Sequence, residues 1–178
     1  MSKEIEVTTE KKDIRKDPYR NVIFDLETTG TDPIADRITA AGFLDVETKD
    51  VTIIMEDDEE KLIQGIMEYI GDGGLRLIGW RIRGFDIPIL VIRGLKYRID
   101  TSAKNRIFEL SEYFQNSPNR IDSHSLAQFL GLHATDSNAR VVPTAFHDGN
   151  FGKVAEHLTQ DLEMILGIFD ILTEVWKI

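Results

Sequence analysis

The chain has 178 residues, 42% hydrophobic and 29% charged, with a formal net charge of −10. That length suits one globular domain with a real core, and the composition excludes a mostly disordered chain. Cysteine is absent, which excludes disulfides, thiolate metal sites and cysteine nucleophiles.

Residues 1–18 read as a polar N-terminal arm ending at Pro18, without the apolar core of a signal peptide. A single domain is expected over 19–178. No apolar run is long enough to span a bilayer, so the expectation is a soluble, cytoplasmic protein. Residues 21–26 form a predicted strand, closed by the turn signal Thr29-Gly30. Two more strands are predicted at 37–46 and 51–55, joined by "ETKD" as a hairpin turn. The run "EDDEE" then opens a helix, where acids favour the N-terminal dipole. Leu62, Ile63, Ile66, Met67 and Ile70 give that helix one apolar face, and Gly71, Gly73 and Gly74 end it.

A short strand follows at 75–80, then a helix from about residue 86 with Pro88 in its first turn. Residues 104–115 are predicted helical. "NRIDSHSLAQFLG" reads as a short strand into a short helix capped by Asp122 or Ser123. Residues 133–150 are loop-rich. A long helix closes the chain at 151–176, with Leu158, Leu162, Ile165, Phe169, Leu172 and Trp176 on its buried stripe. This order implies an α/β fold with a mixed sheet, an antiparallel meander extended by parallel strands.

Acids stand out at three places. Asp25 and Glu27 alternate in "VIFDLETTGTDP" and so point to one side of a strand, roughly 7 Å apart at Cα. Solvated turn acids are the bland alternative, but the apolar run before them leaves little water to satisfy a charge. Asp86 follows the apolar strand and the segment "RIRGF", where a simple N-cap is the alternative. His157 and Asp161 lie four apart on the last helix, hence on one face. Their bland reading is an exposed helix pair. His124, His133 and His147 show no metal-ligand spacing and are read as structural. The net charge argues against nucleic-acid binding, yet six basic residues and only one acid lie between Arg76 and Arg98. Arg76, Arg81 and Arg83 are candidates for a phosphate track, the alternative being partners for the acidic helix.

As a set, "FDLETTG", "GWRIRGFDIPIL" and "VAEHLTQDLEMI" resemble the three motifs of the DEDD superfamily of 3′–5′ exonucleases, on the ribonuclease H-like fold. The match is nearest to the exonuclease domain of family B DNA polymerases and its stand-alone relatives, and it covers about residues 20–176. The resemblance implies two divalent ions, Mg²⁺ or Mn²⁺, with Asp25 bridging both. Glu27 and Asp161 would complete one site and Asp86 would assist the other. It makes His157 the candidate general base, and Thr28, Thr29 and Gly30 contacts to the 3′-terminal nucleotide. Arg81 and Phe85 are further substrate candidates.

Two departures matter. His157 stands three residues before Asp161, the spacing of the family's tyrosine branch with the residue of its histidine branch. Arg81 replaces the family's usual Asn. The implied activity is hydrolysis at 3′ ends of single-stranded nucleic acid, DNA over RNA, releasing nucleoside 5′-monophosphates. A polymerase or another replication or repair protein is the implied partner. The alternative is a weak or inactive member serving as a nucleic-acid-binding or scaffold module.

Overall fold

In a computed structural model, the structure describes residues 18–71, 73–102, 105–134 and 141–177. The predicted polar arm lies, but for Pro18, outside them. Five strands form one mixed sheet: β1 (Arg20–Thr28), β2 (Ile38–Asp45), β3 (Val51–Met55), β4 (Leu75–Gly79) and β5 (Arg106–Glu109). Their order is β3-β2-β1-β4-β5. The first three form an antiparallel meander, and β4 and β5 add in parallel. The expected α/β mixed sheet, an antiparallel meander extended by parallel strands, is therefore present. Five helices flank it: α1 (Glu59–Ile70), α2 (Asp86–Tyr97), α3 (Ser123–Phe129), α4 (Val141–His147) and α5 (Phe151–Trp176).

The period-two alternation of β1 sorts its side chains to two cores. Val22, Phe24 and Leu26 join Ile63 and Ile66 of α1 and Ile89 and Leu90 of α2. Ile23 points the other way, into a core with Leu162, Ile165, Ile168 and Phe169 of α5. By the same alternation Asp25 and Glu27 fall on the α5 side. Trp176, expected on the buried stripe, is partly exposed at the helix end.

Three expectations need correction. The helix expected at 104–115, of which 104 lies outside the described residues, is not formed over 105–115: β5 occupies 106–109 and a 3-10 helix follows at Leu110–Phe114. Ile107, Leu110 and Phe114 have helical spacing, but pairing with β4 overrides it. No strand forms in "NRID"; Asp122 caps α3 directly, accepting from Ser125 N–H at 2.8 Å. The loop-rich stretch contains α4, a short helix that buries Val142 and Ala145.

A buried ion pair ties α1 to α2. Arg93 Nε donates to Glu59 Oε1 at 2.8 Å, and the Glu59 carboxylate also accepts from Tyr97 Oη and Ile38 N–H, each at 2.8 Å. Removing Arg93 leaves the buried carboxylate only the longer contact to Lys96 Nζ, at 3.6 Å, as counter-charge. Arg93→Ala is expected to cost about 3 kcal/mol, read from the midpoint of urea unfolding. An unchanged midpoint would contradict this role.

Candidate active site

The sheet changes sense at β1, which pairs antiparallel with β2 and in parallel with β4. Such a switch point opens a crevice at the carboxyl ends of the parallel strands. The pairing of β1 with β4 stops at Ile23 and Ile78. Further along, Leu26 N–H donates to Asp86 Oδ1 at 2.9 Å. Asp86 is therefore not an N-cap: the first residue of α2, it reaches back across the crevice and is buried there. A bulge between Glu27 and Thr28 ends the regular register of β1, a device that re-aims side chains at a strand end.

Helix α5 lies close above this edge. Gly42 pairs with Asp25 across β1 and β2, and a Cβ there would stand 2.8 Å from both Leu158 and Leu162. The missing side chain is what lets α5 approach. His157 and Asp161 thereby meet the strand acids: His157 Nδ1 lies 3.1 Å from Asp161 Oδ2 and 3.5 Å from Glu27 Oε1. Ligand atoms of Glu27, His157 and Asp161 all lie within 4.8 Å of one another. Asp25 is coupled electrostatically to Asp86, Glu27 and Asp161. The five residues predicted from the three motifs thus come together.

His124, read as structural from sequence, also belongs here. Its Nε2 lies 3.8 Å from Asp161 Oδ1. Its partner is far along the chain on another helix, so no local spacing pairs them. Only the three-dimensional packing of α3 on α5 does.

Thr28, Thr29 and Gly30 form the turn after β1. Thr28 Oγ1 donates to Gly30 O at 2.7 Å, and Thr29 Oγ1 donates to Asp36 and accepts from Arg37 N–H, both at 3.1 Å. Phe85 packs partly buried against the α1–α2 core. Trp80 is largely buried and stacks on Phe114. Arg76 is buried and donates to Asn21, and Arg83 pairs with Glu112. Of the predicted phosphate track, Arg81 alone lacks a side-chain partner among the described residues.

The electrostatics are those of excess negative charge in a poorly solvated place. Burial first, then repulsion from Asp86, Glu27 and Asp161, pushes Asp25 well above the usual carboxylate range. Burial also raises Glu27 and lifts Asp86 to about 7. His157, with the carboxylates of Asp161 and Glu27 beside its Nδ1, is raised to about 10. The ring is thus a protonated imidazolium at neutral pH and supplies the site's own cation. Four carboxylates with one such cation suit divalent ions, which prefer hard oxygen ligands.

Raised folded-state pKa values carry a sign. Their stabilisation is complete below the unfolded value and is lost as the pH climbs to the folded one. For Asp86 the window runs from about 4 to 7, and for His157 from about 6.5 to 10. Glu59 and Asp45 have lowered values and lose their contribution only below about pH 4.5. In chelator, the Tm is therefore expected to fall between about pH 5 and 9. Mg²⁺ is expected to remove most of that fall. Thermal melts with and without Mg²⁺ check this, and a chelated protein most stable at about pH 9 would contradict it.

Known proteins bear on this arrangement. Residues 22–151 match the model of the RNase_H superfamily. An uncharacterized protein of Methanocaldococcus jannaschii is 25% identical over 179 residues, spanning 85% of this chain and 94% of its own length. The family B DNA polymerase of Pyrobaculum calidifontis superposes with a TM-score of 0.73 at 17% identity, over 88% of this chain and 25% of that one. A zinc-bound E. coli ExoI–ssDNA complex superposes with a TM-score of 0.63 at 13% identity, over 89% and 41%. The chain thus spans a quarter of that polymerase and under half of that exonuclease, and these likenesses establish the fold. Among the described residues, no helix is long and apolar enough to cross a membrane.

Proposed function

We propose that this chain, which belongs to the RNase_H superfamily, is a metal-dependent 3′–5′ exonuclease acting on single-stranded nucleic acid, DNA over RNA. The observation that carries the proposal is the convergence of Asp25, Glu27, Asp86, Asp161 and His157 at the switch point of the sheet. Asp25, Glu27, Asp86 and Asp161 would hold two divalent ions. Such ions, when bound, supply charge neutralisation at the phosphate and a more acidic water.

The chain's own groups do the rest. His157 takes the proton of the attacking water as oxygen bonds to phosphorus. The bond from phosphorus to the 3′ oxygen then breaks and that oxygen takes a proton from solvent, leaving a shortened strand with a 3′ hydroxyl and a nucleoside 5′-monophosphate. The turn of Thr28, Thr29 and Gly30 is cross-linked by its own hydroxyls, so it offers a fixed surface to the terminal nucleotide. Phe85 and Arg81 extend that surface along the strand. A replication or repair protein is the partner we infer, in line with the polymerase likeness.

Incubation of single-stranded DNA and RNA with Mg²⁺ or Mn²⁺, followed by chromatography, tests the reading. Nucleoside 5′-monophosphates are expected from both, faster from DNA. Binding of either strand without degradation, under both metals, would replace this reading with that of a binding or scaffold module.

A further inference from the structure

Arg81, placed above on the strand-binding surface, also lines a second feature of the same sheet edge. A cavity of about 300 Å³ lies between the turn after β4 and the segment after β5. Arg81, Arg120, Ser111, Gln115 and Ser117 line it, with Phe114 among them. Among the described residues, neither Arg81 nor Arg120 has a partner for its guanidinium group. Both residues are exposed. Neighbouring Arg83 is different, held by Glu112 and by Ile107 O. In a chain of net charge −10, two arginines without acid partners put uncompensated positive charge beside one polar cavity.

The cavity wall is built, not incidental. Arg81 has a φ of +63°, the left-handed region that a side chain seldom adopts and that must be held by its surroundings. What holds it is Glu109, buried at the end of β5. Its carboxylate accepts from Arg81 N–H at 2.6 Å, from Arg83 N–H at 3.0 Å and from Ser111 N–H at 3.0 Å. One acid thus pins both walls, the Arg81 turn and the 3-10 helix that carries Ser111 and Phe114. The acid is spent on backbone N–H groups and the Ser111 hydroxyl and leaves the two guanidinium groups to a ligand.

The cavity also adjoins the candidate active site along the chain. Ile121 lines it, and His124, on the helix that follows, lies 3.8 Å from Asp161. Arg81 stands on the turn that leads into Asp86. Each wall is thus a few residues along the chain from a member of the candidate site. We infer that this cavity is a phosphate subsite, in which Arg81 and Arg120 grip the phosphodiester backbone of a single strand upstream of the 3′ end being cut. Guanidinium forks suit phosphate oxygens, and such contacts carry no sequence information. This inference rests on the exonuclease reading for the direction of the strand, and on the cavity alone for the ligand.

The test is binding of a fluorescent single-stranded oligothymidylate, followed by anisotropy across a salt series, with Ca²⁺ in place of Mg²⁺. Arg120→Ala and Arg81→Ala are each expected to weaken binding about 3–10-fold and to lower the slope of log K against log salt by about 0.7. Arg83→Ala, at a residue already paired, is the control and should match the wild type. A mixed-sequence strand should show the same losses. Arg120→Ala with unchanged affinity and slope would overturn the subsite, as would a wild type that does not bind the strand. The exonuclease reading fails separately: a wild type that grips the strand through Arg120 but never shortens it keeps the subsite and loses the enzyme. Shortening at wild-type affinity by Arg120→Ala does the reverse.

Discussion

Asp25→Asn is expected to lower turnover by about 10⁴-fold or more, roughly 5–6 kcal/mol of transition-state stabilisation, and at the same time to stabilise the metal-free protein. Both directions have one cause. Asp25 sits where burial and three neighbouring carboxylates oppose its charge. An amide of the same shape removes that repulsion, and the metal-free protein should gain about 1–3 kcal/mol near pH 8. The amide also removes the acid proposed to bridge two cations, each worth several kcal/mol at a phosphoryl centre. A substitution that only damaged the fold would lower stability and turnover together. The opposite movement of the two is the signature of a functional acid held against its own electrostatics. Urea unfolding in chelator and steady-state turnover in Mg²⁺ give the two readouts. Retained turnover would remove Asp25 from the reaction.

His157→Ala is expected to lower turnover by about 10²–10⁴-fold with metal binding retained. In the metal-free protein His157 cannot act as a base near neutral pH, because Asp161 and Glu27 hold its pKa at about 10. Those same carboxylates are the proposed cation ligands. Once their charge is shared with cations, the ring loses its reason to keep the proton and returns toward about 6.5. Two consequences follow for the wild type. Metal binding should release more than one proton near neutral pH, from His157 and from the raised carboxyls of Asp25 and Asp86, measurable by calorimetry in buffers of different ionisation enthalpy. The rate in Mg²⁺ should rise with pH through a value near 7. His157→Ala should release about one proton fewer than the wild type and lose that limb. If the variant turns over like the wild type, His157 is a spacer and the departure from tyrosine at this position has no catalytic meaning.

The legible part of the fold was what local pattern controls. The β1 alternation, the apolar face of α1 and the long stripe of α5 each declare their element, because side-chain burial and backbone period agree there. β5 was illegible for the converse reason. Ile107, Leu110 and Phe114 carry a helical period, whereas the strand exists only because β4 offers an edge and Glu109 ties the turn beyond it. The short α4 contains a proline and has few residues to show a period.

The candidate site divides in the same way. Asp25, Glu27, Asp86, His157 and Asp161 stand in motifs whose spacing is visible in the chain. Asp86 was recognisable as an acid at a helix start, but its bond to Leu26 N–H depends on where β1 and β4 part. His124 and Arg120 had no spacing to betray them. Their roles come from how the segment after β5 folds over the sheet edge.

The central claim is that these carboxylates cut nucleic acid from its 3′ end. The most direct measurement is denaturing electrophoresis of a 5′-labelled single strand after incubation in Mg²⁺ or Mn²⁺, with a free or a blocked 3′ terminus, beside Asp25→Asn. A ladder shortening from the free 3′ end is expected, with no ladder from the blocked strand and none from the variant. A blocked strand cut internally, or a ladder undiminished in Asp25→Asn, would contradict the claim.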